Sequence, residues 1–208
     1  MRIQTKREEL LNAWTHGIGA LLGVVALVLL LLNADKLTPW SVFSVIVYGL
    51  SIIILFLAST LYHAVEDEQR KYYFRIVDHI SIYVLIAGTY TPVLLLVLPD
   101  SLGWVLFYTV WGIAAFGVIL KLFFTGRFEI FSTLLYLVMG WLIVFDFSNL
   151  SIEMGSDGIL WLFAGGLFYT VGIIFYAINK IPYNHVIWHL FVLGGAICHF
   201  FMVYWYVL

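Results

Sequence analysis

Seven long runs of apolar residues, separated by short polar connections, limit what this sequence can fold into. An α-helix needs about 20 apolar residues to cross about 30 Å of hydrocarbon. In lipid, the backbone must also satisfy its hydrogen bonds within the segment, as a helix does. The sequence therefore predicts an all-α protein, a bundle of seven transmembrane helices forming one domain over residues 1–208. The predicted spans are residues 14–33, 41–63, 78–97, 103–121, 129–147, 158–178 and 186–208.

The composition supports a membrane protein and excludes other classes. Apolar residues make up 63% of the 208 residues and charged residues 11%, whereas soluble domains have about 45–50% and about 25%. The net charge of −2 comes without a basic face, so nucleic acid is not an expected partner and membrane lipids are. The single cysteine, Cys198, excludes an internal disulfide and a thiolate-rich metal site.

The basic residues predict the orientation of the chain. If the seven runs cross the membrane in turn, nine of the ten basic residues fall on the same side as the N-terminus and only Lys36 falls on the other. Lysine and arginine are retained in the cytoplasm. The N-terminus is therefore predicted to be cytoplasmic and the C-terminus to lie outside. The nine are Arg2, Lys6, Arg7, Arg70, Lys71, Arg75, Lys121, Arg127 and Lys180.

Three histidines are placed by this topology at one depth near the cytoplasmic side. His63 ends the second run, and His185 and His189 lie at the start of the seventh. His185 and His189 are four residues apart, so both imidazoles face the same side of a helix. Three neutral imidazoles leave a fourth position open for water, which is typical of catalytic Zn²⁺. A metal-bound water can lose its proton near pH 7 and attack a carbonyl.

Two further residues are candidates for catalysis at this depth. Asp78 opens the third run and could accept a proton or hold the water. Ser59 lies one turn before His63 on the same helical face, where it could hydrogen-bond water or a substrate oxygen. Simpler interpretations exist for both. Asp78 could cap the third helix, and Ser59 could serve helix packing.

Simpler interpretations also exist for the histidines and the N-terminal residues. The pair His185 and His189 could bond to neighbouring helices instead of a metal. Helix-end histidines are usually interfacial anchors, which is the first interpretation for the remaining three: His16, His79 and His199. Thr5 and Glu8 have the spacing of a capping box. Glu9, Asn12 and His16 share one helical face, which is either a contact surface or a functional one.

Together these motifs resemble the hemolysin III family, the bacterial branch of the progestin and adipoQ receptor superfamily. The resemblance implies a seven-helix protein of the bacterial cytoplasmic membrane, with zinc held by His63, His185 and His189 and with Ser59 and Asp78 nearby. Alkaline ceramidases are similar to this superfamily, which implies hydrolysis of a lipid amide. Bacterial members are linked to membrane homeostasis and fluidity. The motifs are Glu9-x-x-Asn12-x-x-Thr15-His16, Ser59-x-x-Tyr62-His63, Asp78-His79, and His185-x-x-x-His189 followed by His199.

Three classes of function follow from these observations. The first is a zinc-dependent hydrolase of lipid amides or related acyl substrates, favoured by the open coordination position and Asp78. The second is a regulator of membrane state in which zinc only joins helices, favoured by the role of bacterial relatives. The third, a pore or lysin, needs polar residues along a path through the bilayer. The sequence disfavours a pore, because the histidines and acidic residues gather on one side.

Overall fold

The computed structural model describes residues 4–34 and 39–208, and within them every regular element is helical. The prediction of an all-α protein is confirmed. A short π-helical turn, Val93–Val97, follows α3, and a 3₁₀ turn, Leu142–Asp146, joins α5 to α6. The seven α-helices are α1 (Lys6–Asn33), α2 (Ser41–Ala64), α3 (Glu68–Pro92), α4 (Gly103–Phe124), α5 (Glu129–Gly140), α6 (Phe147–Ala177) and α7 (Asn184–Tyr206).

Six helical segments in the described part of the chain are long and apolar enough to cross a membrane. This identifies a multi-pass membrane protein, but the count differs from the seven predicted spans. The difference lies in Glu129–Ala177, a segment of 49 residues that contains both the fifth and the sixth predicted span. A straight helix of that length would extend about 74 Å, more than twice the ~30 Å of hydrocarbon. The helix is broken at Gly155, where φ is 65° and ψ is 179°.

Contacts on either side of this break give the directions of its two halves. The Tyr136 hydroxyl donates to the backbone oxygen of His79 at 3.1 Å, and the Tyr90 hydroxyl donates to that of Gly140 at 3.0 Å. Residue numbers therefore increase together, and α5 runs parallel to α3. Beyond Gly155 the order is reversed, because α6 packs against α7 with successive pairs running in opposite directions: Gly158 beside Tyr206, Gly165 beside His199 and Gly172 beside Trp188.

The bundle buries both apolar and polar side chains and exposes large apolar ones. Helix α1 packs on α2 and α7, α2 packs on α3, and α6 packs on α7. Buried Tyr48, Phe56 and Tyr83 contribute to the core. By contrast, Leu32 and Ile130 are each 80% exposed. Large apolar side chains on the outside are what a surface facing lipid requires, because the hydrocarbon covers them.

Charged residues meet at the end of the bundle where α1, α3 and α5 begin. Lys71 Nζ lies 2.8 Å from a Glu9 oxygen. Glu129 forms ion pairs with Lys121 at 2.8 Å and with Arg75 at 3.3 Å. Helix α1 begins there with the predicted capping box, in which Thr5 and Glu8 bond reciprocally. Two residues of the orientation argument, Arg2 and Lys36, lie outside the described residues.

Candidate metal centre

His63, His185 and His189 lie together at this end of the bundle. Each offers a ring nitrogen, and the three nitrogens lie within 4.8 Å of one another. The ring centroids are 4.7 to 5.1 Å apart. Even at the upper limit of 4.8 Å, a point exists about 2.8 Å from all three nitrogens, about 0.7 Å farther than metal–imidazole bonds of about 2.0–2.1 Å. Small side-chain rotations would complete the coordination, so these residues could hold a metal ion.

The surroundings of His63 leave one ring nitrogen available to an ion. Its Nδ1 atom lies 2.6 Å from Oε2 of Glu9 on α1. Its Nε2 atom is buried and has no hydrogen-bond partner among residues 4–34 and 39–208. A buried polar atom without a partner is costly. A metal ion at the point between the three rings would satisfy it, so the donor set fits a metal site.

His189 is held by α1 in a similar way. Its Nδ1 atom lies 3.3 Å from the backbone oxygen of Asn12. The His16 ring stacks on the His189 ring, with centroids 3.6 Å apart and planes 9° apart. The His16 Nε2 atom lies 3.4 Å from the backbone oxygen of His189. Helix α1 therefore contacts two of the three candidate ligands.

The interpretation of the other histidines as interfacial anchors is wrong. His16 and His79 are 3% and 6% exposed, so neither ring reaches a membrane interface. His199 lies between helices, with its Nε2 atom 3.2 Å from the backbone oxygen of Leu162. All three rings lie inside the bundle because neighbouring helices pack on the faces that carry them.

Asp78 and Ser59 line the same cavity as His185 and His189, with a volume of about 40 Å³. This volume has room for water beside the histidines, since one water needs about 10–15 Å³. The Ser59 hydroxyl interacts with the Asp78 carboxylate in this cavity. The two residues singled out from the sequence are therefore partners of each other.

Asp78 does not cap α3, and that simpler interpretation is wrong. The helix begins at Glu68, and its N-cap is Asp67, whose side chain accepts from the backbone nitrogen of Arg70. Asp78 lies ten residues inside the helix. The stretch from Glu68 to Asp78 is helical, and Asp78 reaches the cavity that His185 and His189 line.

The contact between Glu9 and His63 was not predicted from the sequence. Glu9 is 54 residues from His63, and its second oxygen receives Lys71 from α3. The available signal was the shared face of Glu9, Asn12 and His16 on α1. In the structure, this face of α1 contacts His63 and His189.

A larger apolar cavity adjoins the histidine cavity. It has a volume of about 160 Å³ and lies between α2, α3, α5, α6 and α7. Leu55 and Ile82 line both cavities, as do Tyr176, Trp188 and Val192. The two cavities thus share walls, with polar side chains concentrated in the smaller one.

Comparison with known proteins gives matches over nearly the whole chain. The Haemolysin-III related family model matches residues 4–200. Hemolysin-3 of Bacillus cereus is 48% identical over 206 residues, covering 99% of this chain and 94% of that protein. The Hemolysin-3 homolog of Bacillus subtilis (strain 168) is 46% identical over 203 residues, covering 97% and 95%. The Monocyte to macrophage differentiation factor of Homo sapiens is 30% identical over 213 residues, covering 96% and 84%.

Proposed function

The chain belongs to the haemolysin-III related family, and we propose that it is a zinc-dependent hydrolase of lipid amides or related acyl substrates. It acts in the bacterial cytoplasmic membrane and contributes there to membrane homeostasis and fluidity. One observation carries the proposal: three histidines meet where they could hold a metal ion, and two of them, His185 and His189, line a small cavity together with Asp78.

Zn²⁺ is the metal that these donors suit best. His63, His185 and His189 would hold it through imidazole nitrogens, a ligand type that zinc shares with copper, nickel and iron. Three protein ligands are typical of catalytic rather than structural zinc sites. When bound, the metal would polarise a substrate carbonyl and lower the pKa of water toward 7.

The protein's own residues would then position and deprotonate the reactants. The Asp78 carboxylate faces the cavity and is the proton acceptor. The Ser59 hydroxyl lines the cavity beside this carboxylate, and its oxygen would accept a hydrogen bond from water. A positioned base of this kind contributes about 10²–10⁴-fold to a rate.

The adjoining apolar cavity supports a lipid as the substrate. Its lining is almost wholly apolar, and it shares Tyr176 and Trp188 with the histidine cavity. An acyl chain placed there would bring a bond near the lipid headgroup next to Asp78. Apolar pockets with a few convergent polar groups are the usual form of small-molecule sites.

Seven crossings and a cytoplasmic N-terminus complete the proposal. We assign residues 129–154 and 156–177 to two crossings, joined by a turn at Gly155. The parallel α3 and α5 and the antiparallel α6 and α7 support this turn, and glycine suits its positive φ. The predominance of basic residues at one end supports a cytoplasmic N-terminus, which would put the site near the cytoplasmic side.

A regulator without catalysis is the second candidate. His63 lies on α2 and the other two histidines on α7, so an ion bound by all three would join two helices that are distant in sequence. Such a metal would be structural, and any effect on the membrane would come from the bundle itself. Lysis is suggested only by the name of the Bacillus relatives.

A lipid turnover experiment separates these functions. Purified protein is analysed for metal, then incubated with a panel of ceramides and phospholipids, with chelator and with zinc added back. We expect one zinc per chain and release of fatty acid that stops with chelator and returns with zinc. Zinc without turnover of any lipid would support the regulator, and release of dye from liposomes would support lysis.

A further inference from the structure

Helix α1 contributes a carboxylate that contacts the metal site from outside. We propose that Glu9 is a positioning residue: its carboxylate accepts the Nδ1 proton of His63 and so directs Nε2 of this histidine toward the ion. The inference rests on the proposed metal site but does not depend on hydrolysis. It gives a role to Glu9, one of the three residues on the α1 face formed by Glu9, Asn12 and His16.

The hydrogen bond between Glu9 and His63 determines which ring nitrogen is free. An ionised carboxylate can only accept hydrogen bonds, so at 2.6 Å from Oε2 the Nδ1 atom of His63 carries the proton. A neutral imidazole has one N–H, which leaves a lone pair on Nε2. That atom is buried and without a partner in the described chain, as a metal ligand requires. Carboxylates behind ligating histidines fix the tautomer and ring orientation in this way.

Glu9 is itself held in position by a second contact. Its other oxygen, Oε1, receives Lys71 Nζ from α3 at 2.8 Å. The Glu9 side chain is 22% exposed and that of Lys71 27%, whereas the His63 side chain is fully buried. Glu9 thus connects α1, α2 and α3 at the metal site. This geometry also allows a purely structural role, in which the ion pair with Lys71 is what matters.

His189, like His63, has an oxygen of α1 beside its Nδ1 atom. Its Nδ1 atom lies 3.3 Å from the Asn12 backbone oxygen, one turn further along α1. The protein thus places an acceptor behind both histidines from the same helix. The acceptor for His189 belongs to the backbone and survives any change at Asn12, so Glu9 is the position where the idea can be tested.

Zinc affinity measured by competition with a chromophoric chelator tests the proposal in the full chain. Glu9→Ala should weaken zinc binding about 10- to 100-fold, the usual effect of losing such a partner. Glu9→Gln should be intermediate, because its amide oxygen still accepts from Nδ1. Lys71→Met is the matched control: it removes the ion pair, keeps the bond to His63, and should change zinc affinity less than about threefold. Co²⁺ loaded in place of zinc should show an altered visible spectrum in Glu9→Ala only.

Each other outcome has a clear meaning. Parent protein that binds no zinc would overturn the metal site itself, whereas zinc binding without lipid turnover would affect only the proposed hydrolysis. Unchanged affinity in Glu9→Ala would overturn the role of Glu9. Equal losses in Glu9→Ala and Lys71→Met would also overturn it, since the ion pair would then explain the effect. If Glu9→Ala does not fold, Glu9→Gln, which keeps the volume, decides by the same comparison with Lys71→Met.

Discussion

The imidazole rings of His16 and His189 stack face to face, with centroids 3.6 Å apart and planes 9° apart, although 173 residues separate them in the sequence. Stacking fixes the plane of the His189 ring, and the Asn12 backbone oxygen fixes its rotation. The ring of Phe56 contacts His16 in a T-shaped arrangement, with centroids 4.9 Å apart and planes 79° apart. Helix α1 therefore fixes the orientation of His189 at the candidate metal site.

We predict that the stack contributes to stability through its shape. His16→Ala should lower the free energy of unfolding by about 2 kcal/mol, within the range of buried truncations, because it leaves a gap between His189 and Phe56. His16→Phe keeps a flat ring of similar size and should recover most of this loss. Unfolding of detergent-solubilised protein measures both. Equal losses in the two variants would mean that the weak contact of His16 with the His189 backbone oxygen matters more than stacking.

The second prediction concerns the metal ligands. Single changes of His63, His185 or His189 to alanine should each remove most of the bound zinc, because two imidazoles cannot hold the ion as three do. His199→Ala is the control and should retain zinc, since that ring bonds to Leu162 on α6. Metal content per chain after dialysis is the measurement. Full zinc content in His63→Ala would show that the assignment is wrong.

Much of this arrangement could be predicted from sequence, because apolar runs mark membrane-crossing helices and alternate crossings bring helix ends together. That reasoning placed His63 beside His185 and His189, which the structure confirms. It began the third helix too late, at Asp78 instead of Glu68, because hydropathy detects only the part of a helix that suits lipid. The charged turns from Glu68 onward are helical as well, but they lack the apolar residues that the pattern requires.

Other features could not be read from the sequence. The contact between Glu9 and His63 depends on how α1 rotates against α2, and no local pattern sets that rotation. The two predicted spans between residues 129 and 178 merge into one helical segment because residues 147–154 continue the helix up to Gly155. Only the partners of each half, His79 and Tyr90 of α3 on one side and α7 on the other, give their directions.

The third prediction concerns topology. A reporter fused after Leu208 should be active only if it is a type that works outside the cytoplasm, because basic residues mark the other end of the bundle. A second measurement tests the turn at Gly155. In a Cys198→Ser background, Ser156→Cys should react with an impermeant maleimide added to intact cells, whereas Thr125→Cys should not. Cytoplasmic activity of the reporter would overturn the orientation.

The fourth prediction concerns the ion-pair cluster on α3, α4 and α5. Lys121 is fully buried, and its Nζ atom lies 2.8 Å from Glu129. Lys121→Met should destabilise the bundle by about 2 kcal/mol, less than the ~3–5 kcal/mol of a fully buried pair, because Glu129 is a quarter exposed and keeps Arg75. The double variant Lys121→Met with Glu129→Gln should be more stable than the sum of the single losses. Strict additivity in unfolding experiments would contradict a coupled pair.

The last prediction separates chemistry from structure at the metal site. Asp78 shares the cavity with Ser59, His185 and His189, but it is not among the three residues that could hold a metal ion. Asp78→Ala and Asp78→Asn should therefore keep zinc and lower lipid turnover about 10²–10⁴-fold, the usual contribution of a general base. Ser59→Ala should have a smaller effect, because it removes only the group that holds the carboxylate. If the parent consumes no lipid and Asp78→Ala preserves its effect on membrane fluidity in cells, the metal joins α2 to α7, and regulation replaces hydrolysis as the function.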